Sequence, residues 1–275
     1  MNLQSTVKLN NGVEIPQVGF GTFQAGGDDV INAVTWAIEA GYRHIDTAAA
    51  YGNEGGVAEG IRRSGVPRDE LFVTTKLWNE EMRRDNQKKA FDESLKLLGL
   101  DYVDLYLIHW PVPGKYADSW KALGEIYRSG RAKAIGVSNF NVRHLDDIEK
   151  SSDLIPAVNQ IELHPYLSQQ TITKTCAERG IAVESWSPLG ASKNNLLSDP
   201  TLAETGKKYG KTPAQAILRW NIQHGYIVIP KSIKKHRIIE NSQLFDFELS
   251  AGDMERIDGL NRDERTGPDP ETFDF

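Results

Sequence analysis

The sequence predicts an α/β fold, a (β/α)8 TIM barrel, in one domain that spans residues 1–275. Short apolar segments alternate with helical patterns, and the polar residues at the ends of these segments recur at intervals of 22 to 33 residues. One βα unit takes about 30 residues, and eight units match this chain length. The apolar segments are nearly continuous, as in parallel strands buried on both faces. The pattern alone leaves a doubly wound sheet as the alternative.

Each predicted strand is a short apolar run, and helical patterns fill the connections. In chain order the predicted strands cover residues 17–20, 42–46, 71–76, 102–109, 132–138, 155–160, 181–186 and 226–231. In the first connection, apolar residues at helical spacing place four side chains on one helix face, namely Val30, Val34, Ala37 and Ile38.

Two segments depart from this repeat. An N-terminal β-hairpin is predicted over residues 7–15 around an Asn-Gly pair, which is a strong turn signal, and it would close the barrel bottom. Near the C-terminus an extra helix is predicted over residues 201–209, before a helix that begins with a capping box at Thr212. The tail after Leu260 is rich in Pro, Gly and Asp, and we expect it to be irregular.

The composition disfavours several function classes. The chain is 39% hydrophobic and 25% charged, which is ordinary for a globular protein. Its net charge of −6 argues against nucleic acid or an anionic membrane as partner. Cys176 is the only cysteine, which fits a reducing compartment. No apolar run approaches the ~20 residues of a membrane helix, and the first residues lack signal-peptide features. We therefore expect a cytoplasmic protein.

Four polar side chains follow or end consecutive predicted strands. Asp46, Lys76 and His109 end three strands, and Tyr51 lies on the loop after the first of them. A barrel brings these positions together at its C-terminal face. A nearby ammonium lowers the pKa of a phenol, and a buried ammonium needs a counter-ion. The set predicts a tyrosine proton donor tuned by a Lys–Asp pair, with His109 as hydrogen-bond partner. The alternative is a structural ion pair at the barrel rim.

Other catalytic motifs are absent from the sequence. It has no GxGxxG, P-loop, HExxH or GxSxG motif. Its six histidines are scattered without metal-ligand spacing, so we predict no metal site. A nucleophilic serine is not indicated either.

A basic cluster lies at the last predicted strand. It contains Lys231, Lys234, Lys235 and Arg237, and Ser232 adds a hydroxyl donor. Barrel enzymes often bind phosphate at the loops after strands 7 and 8, so the cluster predicts an anion site. The alternative is a solvated start of a helix.

Aromatic residues lie near several strand ends. Trp78, Trp110 and Trp186 are each within two residues of a predicted strand end, where they would form pocket walls or stack on a planar ring. Packing alone is the alternative reading. Trp78 and Trp110, together with Phe20 and Phe23, predict a pocket with aromatic walls.

At these residues the chain resembles the aldo-keto reductases. The matching segments are GYRHIDTAAAYGNE (41–54), TTKLWN (74–79), YLIHWP (106–111), IGVSNF (135–140), VNQIELHP (158–165), IPKS (229–232) and RIIEN (237–241). They occur in order over nearly the whole chain, which makes the resemblance specific. The segment ESWSPLG (184–190) and the ending GPDPETF are most similar to the bacterial branch that includes the 2,5-diketo-D-gluconic acid reductases.

The resemblance implies reduction of a small carbonyl compound by hydride transfer from NADPH, without a Rossmann domain. It implies a catalytic tetrad of Asp46, Tyr51, Lys76 and His109, with Tyr51 as the proton donor. The substrate would contact Phe20, Phe23, Trp78, His109 and Trp110. Candidate substrates are small aldehydes, ketones and dicarbonyls, including 2,5-diketo-D-gluconate. The family default is a monomer.

The resemblance also implies a set of cofactor contacts. The carboxamide of the nicotinamide would be bound by Ser138, Asn139 and Gln160, and its ring would stack on Trp186. The adenosine 2′-phosphate would be held by Lys231, Ser232, Lys234 and Arg237. The adenine would meet Glu240 and Asn241. Further contacts are expected from Gly21, Thr22, Phe23, Ser187, Pro188, Leu189 and Ile233.

Two other functions remain open from the sequence. Lysines at barrel strand ends form imines in some enzymes, so a Schiff-base lyase that uses Lys76 is one alternative. A close Asp46 argues against it, because an imine-forming lysine must be neutral. The other alternative is a non-catalytic NADPH-binding regulatory subunit, although all four tetrad residues are present. Trp186 departs from the tyrosine that many family members have at this position, so its stacking geometry is expected to differ.

Overall fold

A computed structural model describes residues 1–273 and 275 of the chain. Its strands are β1 (Thr6–Lys8), β2 (Glu14–Pro16), β3 (Gly19–Gly21), β4 (His44–Asp46), β5 (Phe72–Leu77), β6 (Val103–Ile108), β7 (Ala132–Ser138), β8 (Val158–Glu162), β9 (Ala182–Trp186) and β10 (Ile227–Val228). Its helices are α1 (Gly27–Glu39), α2 (Glu54–Ser64), α3 (Asn79–Arg83), α4 (Gln87–Leu98), α5 (Tyr116–Arg128), α6 (Val142–Ser151), α7 (Gln170–Glu178), α8 (Pro200–Lys208), α9 (Pro213–Gln223), α10 (Lys235–Glu240) and α11 (Ala251–Asp258).

Strands β3 to β10 form one parallel sheet in which sequence neighbours are also spatial neighbours. A parallel bridge between Val18 and Val228 joins the two outer strands, so the sheet curls into a nearly closed barrel. A doubly wound sheet would reverse its strand order partway, and this sheet does not. The predicted (β/α)8 barrel is therefore confirmed.

The N-terminal hairpin is also present, as antiparallel strands β1 and β2. At its turn, the side-chain amide of Asn10 donates to the carbonyl oxygen of Pro156, and that of Asn11 donates to the carbonyl oxygen of Lys133. These acceptors lie at the N-terminal ends of β8 and β7. The hairpin consequently covers the barrel bottom, opposite the strand ends that carry the predicted tetrad.

The barrel interior is apolar at the bottom and polar toward the top. The bottom is filled by one apolar cluster that consists of Leu9, Ile15, Phe72, Leu105, Leu107, Ala134, Ala157, Val158 and Ile227. Above it the buried side chains are polar, and they include His44, Asp46, Thr74, Lys76, Gln160 and Glu184. Side chains alternate along a strand, so residues two apart share a face and the polar groups stack in layers inside the barrel.

Helix starts near the C-terminus follow the sequence closely, whereas some strand ends do not. The side-chain carboxylate of Asp199 caps α8, and Thr212 forms a capping box with Gln215 at the start of α9. Helix α10 follows β10 and completes the eighth βα unit, so α8 and α11 are the extra helices near the C-terminus. The last strand is shorter than residues 226–231, because Pro230 has no N–H for the sheet. Within the described residues, none of the helices has the length and apolar character that crossing a membrane requires.

Candidate active site

The side-chain ammonium of Lys76 lies at the centre of a buried polar cluster at the top of the barrel. Its Nζ is 2.7 Å from Oδ1 of Asp46, 2.9 Å from the carbonyl oxygen of Thr47 and 3.4 Å from Oη of Tyr51. An ammonium has three N–H donors, and each has an acceptor here. Lys76 is fully buried, so its ion pair with Asp46 forms away from water.

Neighbouring elements bring these three side chains together. Asp46 ends β4, and Lys76 is next to last in β5, which pairs with β4 in parallel. Tyr51 ends a short 3₁₀ helix, Ala49–Tyr51, that directly follows β4. Gly52 comes next with a φ of 63°, a left-handed conformation that favours glycine, and the chain then turns into α2. This tight turn places the phenol over the ammonium.

Two opposing effects act on the pKa of Tyr51. Burial of the phenol raises the pKa above its usual value of 10.0, whereas the positive charge of Lys76 acts to lower it. Burial is the larger effect, so the pKa is raised and Tyr51 carries its proton at neutral pH. The sequence indicates only the lowering by Lys76, because the depth of the phenol depends on how the loop folds over the barrel.

Lys76 keeps its charge despite its burial. Burial alone would lower its pKa, but the negative charge of Asp46 and the proximity of Tyr51 raise the pKa above its usual value. The side chain is therefore an ammonium at neutral pH. An amine in this state has no lone pair for attack on a carbonyl carbon.

His109 borders the same cluster from the end of β6. Its ring centroid lies 5.6 Å from that of Tyr51 and 5.2 Å from that of Trp78. Burial, with the charge of Lys76, lowers the pKa of His109 well below 6.5. Its imidazole is thus neutral at pH 7 and has one N–H to donate. The structure brings all four predicted tetrad residues to one place.

A second buried carboxyl group lies beside the cluster. The side-chain amide nitrogen of Gln160 is 2.8 Å from Oδ2 of Asp46 and 2.7 Å from Oε2 of Glu184. Glu184 lies below Trp186 on β9, and His44 lies below Asp46 on β4. Neither Glu184 nor His44 is among the site residues predicted from the sequence. Their spacing of two residues from predicted site residues was the signal that places them inside the barrel.

Hydrogen bonds fix the indole of Trp186 at the mouth of the barrel. Its Nε1 donates to Oδ1 of Asn139 at 2.8 Å, and the amide nitrogen of Asn139 donates to Oγ of Ser138 and to the carbonyl oxygen of His109. Asn139 has a φ of 65°, which an asparagine tolerates better than most residues. The expected carboxamide-binding residues therefore form one network with Trp186.

The C-terminal tail crosses the mouth, although the sequence indicates only an irregular segment. The carboxylate of Glu162, at the end of β8, accepts hydrogen bonds from the backbone N–H groups of Thr266 and Gly267. Gly267 packs closely against the indole of Trp186, since a Cβ at this position would be 2.4 Å from Cη2 of the ring. Farther along, the carboxylate of Glu271 accepts from the side-chain amide of Asn141.

Aromatic side chains of the tail complete the pocket wall. Phe275 stacks on Trp78 with 5.9 Å between ring centroids, and Phe273 lies 5.1 Å from Trp110. Phe23 is exposed beside Tyr51, at 5.1 Å. Phe20, expected in the pocket, instead packs against Tyr42 in the core outside the barrel. The alternation of side chains along β3 explains this, because Gly19 and Gly21 take the inward positions.

The basic cluster lies at the edge of the same mouth. Nζ of Lys231 is half-buried and donates to the carbonyl oxygen of Gln24 at 3.1 Å. Lys235 pairs with Glu39, whereas Lys234 and Arg237 are exposed and form no salt bridge within residues 1–273 and 275.

The remaining expected cofactor residues are placed as follows. The hydroxyl of Thr22 donates to the carbonyl oxygen of Asp46, which ties the loop after β3 to the tetrad. The carboxylate of Glu240 accepts from the hydroxyl of Thr212 at the start of α9, and Asn241 is buried. Gly21 is the last residue of β3. The other expected residues lie on the loops after β9 and β10, and they are Ser187, Pro188, Leu189, Ser232 and Ile233.

Comparison with known proteins shows which family the chain matches. Residues 17–262 match the model of the Aldo/keto reductase family. The chain is 51% identical to a glyoxal reductase of Bacillus subtilis, over 100% of this chain and 99% of that protein. It is 44% identical to the methylglyoxal reductase DkgA of Escherichia coli, over 98% of each chain. A crystal structure of a Gox0644 mutant in complex with NADPH superposes with a TM-score of 0.94 at 42% identity, over 99% of each chain. The protein therefore belongs to the aldo/keto reductase family.

Proposed function

We propose that this protein reduces small aldehydes, ketones or dicarbonyls to alcohols with NADPH, and that Tyr51 donates the proton. The contacts of Lys76 carry this proposal, because its ammonium touches both the carboxylate of Asp46 and the phenol of Tyr51. That arrangement gives a protonated phenol next to a fixed positive charge. A phenol so placed can transfer its proton as negative charge develops on a carbonyl oxygen.

Each tetrad residue has a separate part in this reaction. NADPH, when bound, supplies the hydride. Tyr51 holds its proton at Oη until the carbonyl oxygen becomes basic, and Lys76 then stabilises the phenolate that remains. Asp46 holds the ammonium in place. The neutral imidazole of His109 orients the carbonyl oxygen through its N–H.

The residues around the mouth fit this cofactor. Lys234 and Arg237 are exposed cations without salt-bridge partners in the described part of the chain, which suits a phosphate monoester. The indole of Trp186 is held in one orientation by Asn139, so it offers a fixed flat surface to a nicotinamide ring. Both amide hydrogens of Gln160 are donated to the carboxyl groups of Asp46 and Glu184. The amide oxygen of Gln160 is therefore left to accept from the carboxamide of the nicotinamide.

The relatives and the shape of the mouth favour a small substrate. The glyoxal and methylglyoxal reductases that match this chain act on two-carbon and three-carbon dicarbonyls by their names. In this protein Phe273 and Phe275 narrow the mouth between Trp78 and Trp110. We therefore expect small dicarbonyls to be better substrates than 2,5-diketo-D-gluconate.

The chemistry of Lys76 disfavours the Schiff-base lyase. Its three N–H donors all have acceptors, and its pKa is raised, so a free amine is scarce at neutral pH. Borohydride treatment with a carbonyl substrate is expected to leave Lys76 unmodified. A covalent adduct on Lys76 would favour the lyase.

The experiment that tests the proposed function follows the oxidation of NADPH with glyoxal, methylglyoxal and 2,5-diketo-D-gluconate in parallel. Turnover is expected with the first two at least, and Tyr51→Phe is expected to lower it by about 10²- to 10⁴-fold. Binding of NADPH to both forms is measured separately. Intact NADPH binding with no turnover of any carbonyl would instead favour the non-catalytic regulatory subunit.

A further inference from the structure

The amide of Gln160 bridges two carboxyl groups inside the barrel. Its nitrogen donates one hydrogen to Asp46 and the other to Glu184, at 2.8 and 2.7 Å. Gln160 and Glu184 are paired residues on the neighbouring strands β8 and β9, so the contact between them is built into the register of the sheet. Asp46 reaches the same nitrogen from β4, across the barrel.

This bridge selects one of the two orientations of the amide. A primary amide has two N–H donors on one side and an acceptor oxygen on the other. The observed orientation uses both donors on carboxyl groups. The flipped orientation would place the amide oxygen against the negatively charged Asp46 and would leave the N–H groups without these acceptors. Without Glu184, only Asp46 would favour the observed orientation.

The charged groups around Glu184 explain how two carboxyl groups share this space. Glu184 is fully buried, and the groups that face it are His44 and Asp46 from β4, Lys76 from β5 and Gln160 from β8. Burial, with the negative charge of Asp46, raises the pKa of Glu184 to about 8. At neutral pH Glu184 is therefore an uncharged acid, and the ammonium of Lys76 balances the single charge of Asp46.

We propose that Glu184 is a positioning residue: it holds the Gln160 amide so that one side supports Asp46 and the other presents an oxygen to the carboxamide of the cofactor. This inference rests on the proposed function, because it assumes that the nicotinamide lies against Gln160. This role also explains why an acidic residue lies below the tetrad. Burial of a carboxyl group there costs desolvation free energy that an apolar side chain would not cost.

The first test measures the dissociation constant of NADPH, without turnover, for three variants at pH 7. Glu184→Leu removes the acceptor and is expected to weaken NADPH binding roughly tenfold, the effect of one lost buried hydrogen bond. Glu184→Gln keeps an acceptor oxygen for Gln160 and an N–H for His44, so affinity close to the wild type is expected. Glu204→Gln, in an exposed salt bridge with Arg256, is the matched control.

An unchanged dissociation constant in folded Glu184→Leu would overturn the inference. Equal losses in Glu184→Leu and Glu184→Gln would do so as well, because both would then reflect packing. Failure of the wild type to bind NADPH would contradict the proposed function instead. The two failures are thus distinguishable.

The second test is a pH profile, and it remains available if Glu184→Leu does not fold. Above about pH 8 Glu184 loses its proton, and its negative charge raises the pKa of Tyr51. A weaker acid transfers its proton more slowly, so carbonyl reduction by the wild type is expected to decline from about pH 8. The Glu184→Gln variant has no such proton to lose, so its rate of carbonyl reduction is expected to decline only at higher pH. Identical profiles would contradict the uncharged acid at Glu184 through which two carboxyl groups are inferred to share the Gln160 amide.

Discussion

Gly267 of the tail lies against the indole of Trp186, so closely that an added Cβ would be 2.4 Å from the ring. The opposite end of the tail is held by Glu271, whose carboxylate accepts from Asn141 and pairs with Arg143. The tail is therefore packed against the residue that we expect to stack on the nicotinamide. Changes at Gly267 should consequently reach the cofactor through Trp186.

Gly267→Ala is expected to weaken NADPH binding, because the new methyl group displaces the indole or the tail. The measurement is the dissociation constant of NADPH, and a several-fold increase is expected from the lost packing. Gly252→Ala is the matched control, since a Cβ at this exposed position in α11 meets nothing within 4 Å. Equal constants for both variants would show that the tail does not set the position of Trp186.

The hydrogen bond from Trp186 to Asn139 can be tested separately from ring stacking. Trp186→Phe keeps an aromatic face but loses this bond, and it is expected to weaken NADPH binding by about 0.5–1.5 kcal/mol. Trp186→Leu also loses the aromatic face and should be weaker again. Calorimetric titration with NADPH checks both, with the half-buried Trp36→Phe as control. Wild-type affinity in Trp186→Leu would contradict the stacking role.

Loss of the buried ion pair between Lys76 and Asp46 should lower stability and activity for different physical reasons. Lys76→Met leaves Asp46 as a buried unpaired charge, and a loss of about 3–5 kcal/mol in the free energy of unfolding is expected. The double variant Asp46→Asn/Lys76→Met removes both charges and should recover much of that stability. Both variants lack the ammonium of Lys76, so both should remain without turnover. Urea unfolding and NADPH oxidation, measured on the same samples, check this, and an active double variant would contradict the role of Lys76.

Two buried neutral histidines should make the protein sensitive to acid. Burial lowers the pKa of His109 well below 6.5 and that of His44 to about 3. Below pH 6.5 the unfolded chain therefore binds two protons at these histidines that the folded chain does not, and their contribution to stability falls as the pH falls from 6.5 toward the folded-state pKa values. The proton that folded Glu184 holds below its pKa of about 8 offsets one of the two. Each histidine contributes about 1.4 kcal/mol per pH unit.

Urea unfolding between pH 7 and pH 5 checks this dependence. His109→Asn should reduce its slope by one proton, and the exposed His236→Asn is the control. A slope unaffected by His109→Asn would mean that His109 is already protonated in the folded state.

Phe273 is expected to limit substrate size. Phe273→Ala removes the ring that packs on Trp110, which should widen the mouth. The ratio of kcat/KM for an aromatic aldehyde to that for methylglyoxal should rise, while NADPH affinity stays close to the wild type. Leu97→Ala, at an exposed site on α4, is the control. An unchanged ratio would show that the pocket is limited by other residues.

The barrel and the convergence of the tetrad could be predicted because strand ends carry their own signal. A parallel sheet places Asp46 and Lys76 at the same edge whatever the details of packing, and the short loop to Tyr51 leaves that residue nearby. The net direction of the pKa of Tyr51 could not be predicted, since it depends on the depth of burial.

Other parts of the site have no comparable signal. The tail has no hydrophobic period, so its course over the mouth depends on single contacts such as that between Glu162 and Gly267. The two-residue spacing from Trp186 places Glu184 inside the barrel, but an isolated acid in the sequence does not reveal that its partner is Gln160. The prediction that Phe20 lies in the pocket fails because aromatic character alone does not determine which face of a three-residue strand a side chain takes.

The hairpin beneath the barrel has a kinetic consequence. Asn10 and Asn11 tie it across the strand starts, so molecules that reach Lys76 have to arrive from the side of the tail. Reactant and product then share one passage with the nicotinamide. The molecule that lies deeper is then expected to bind first and to leave last.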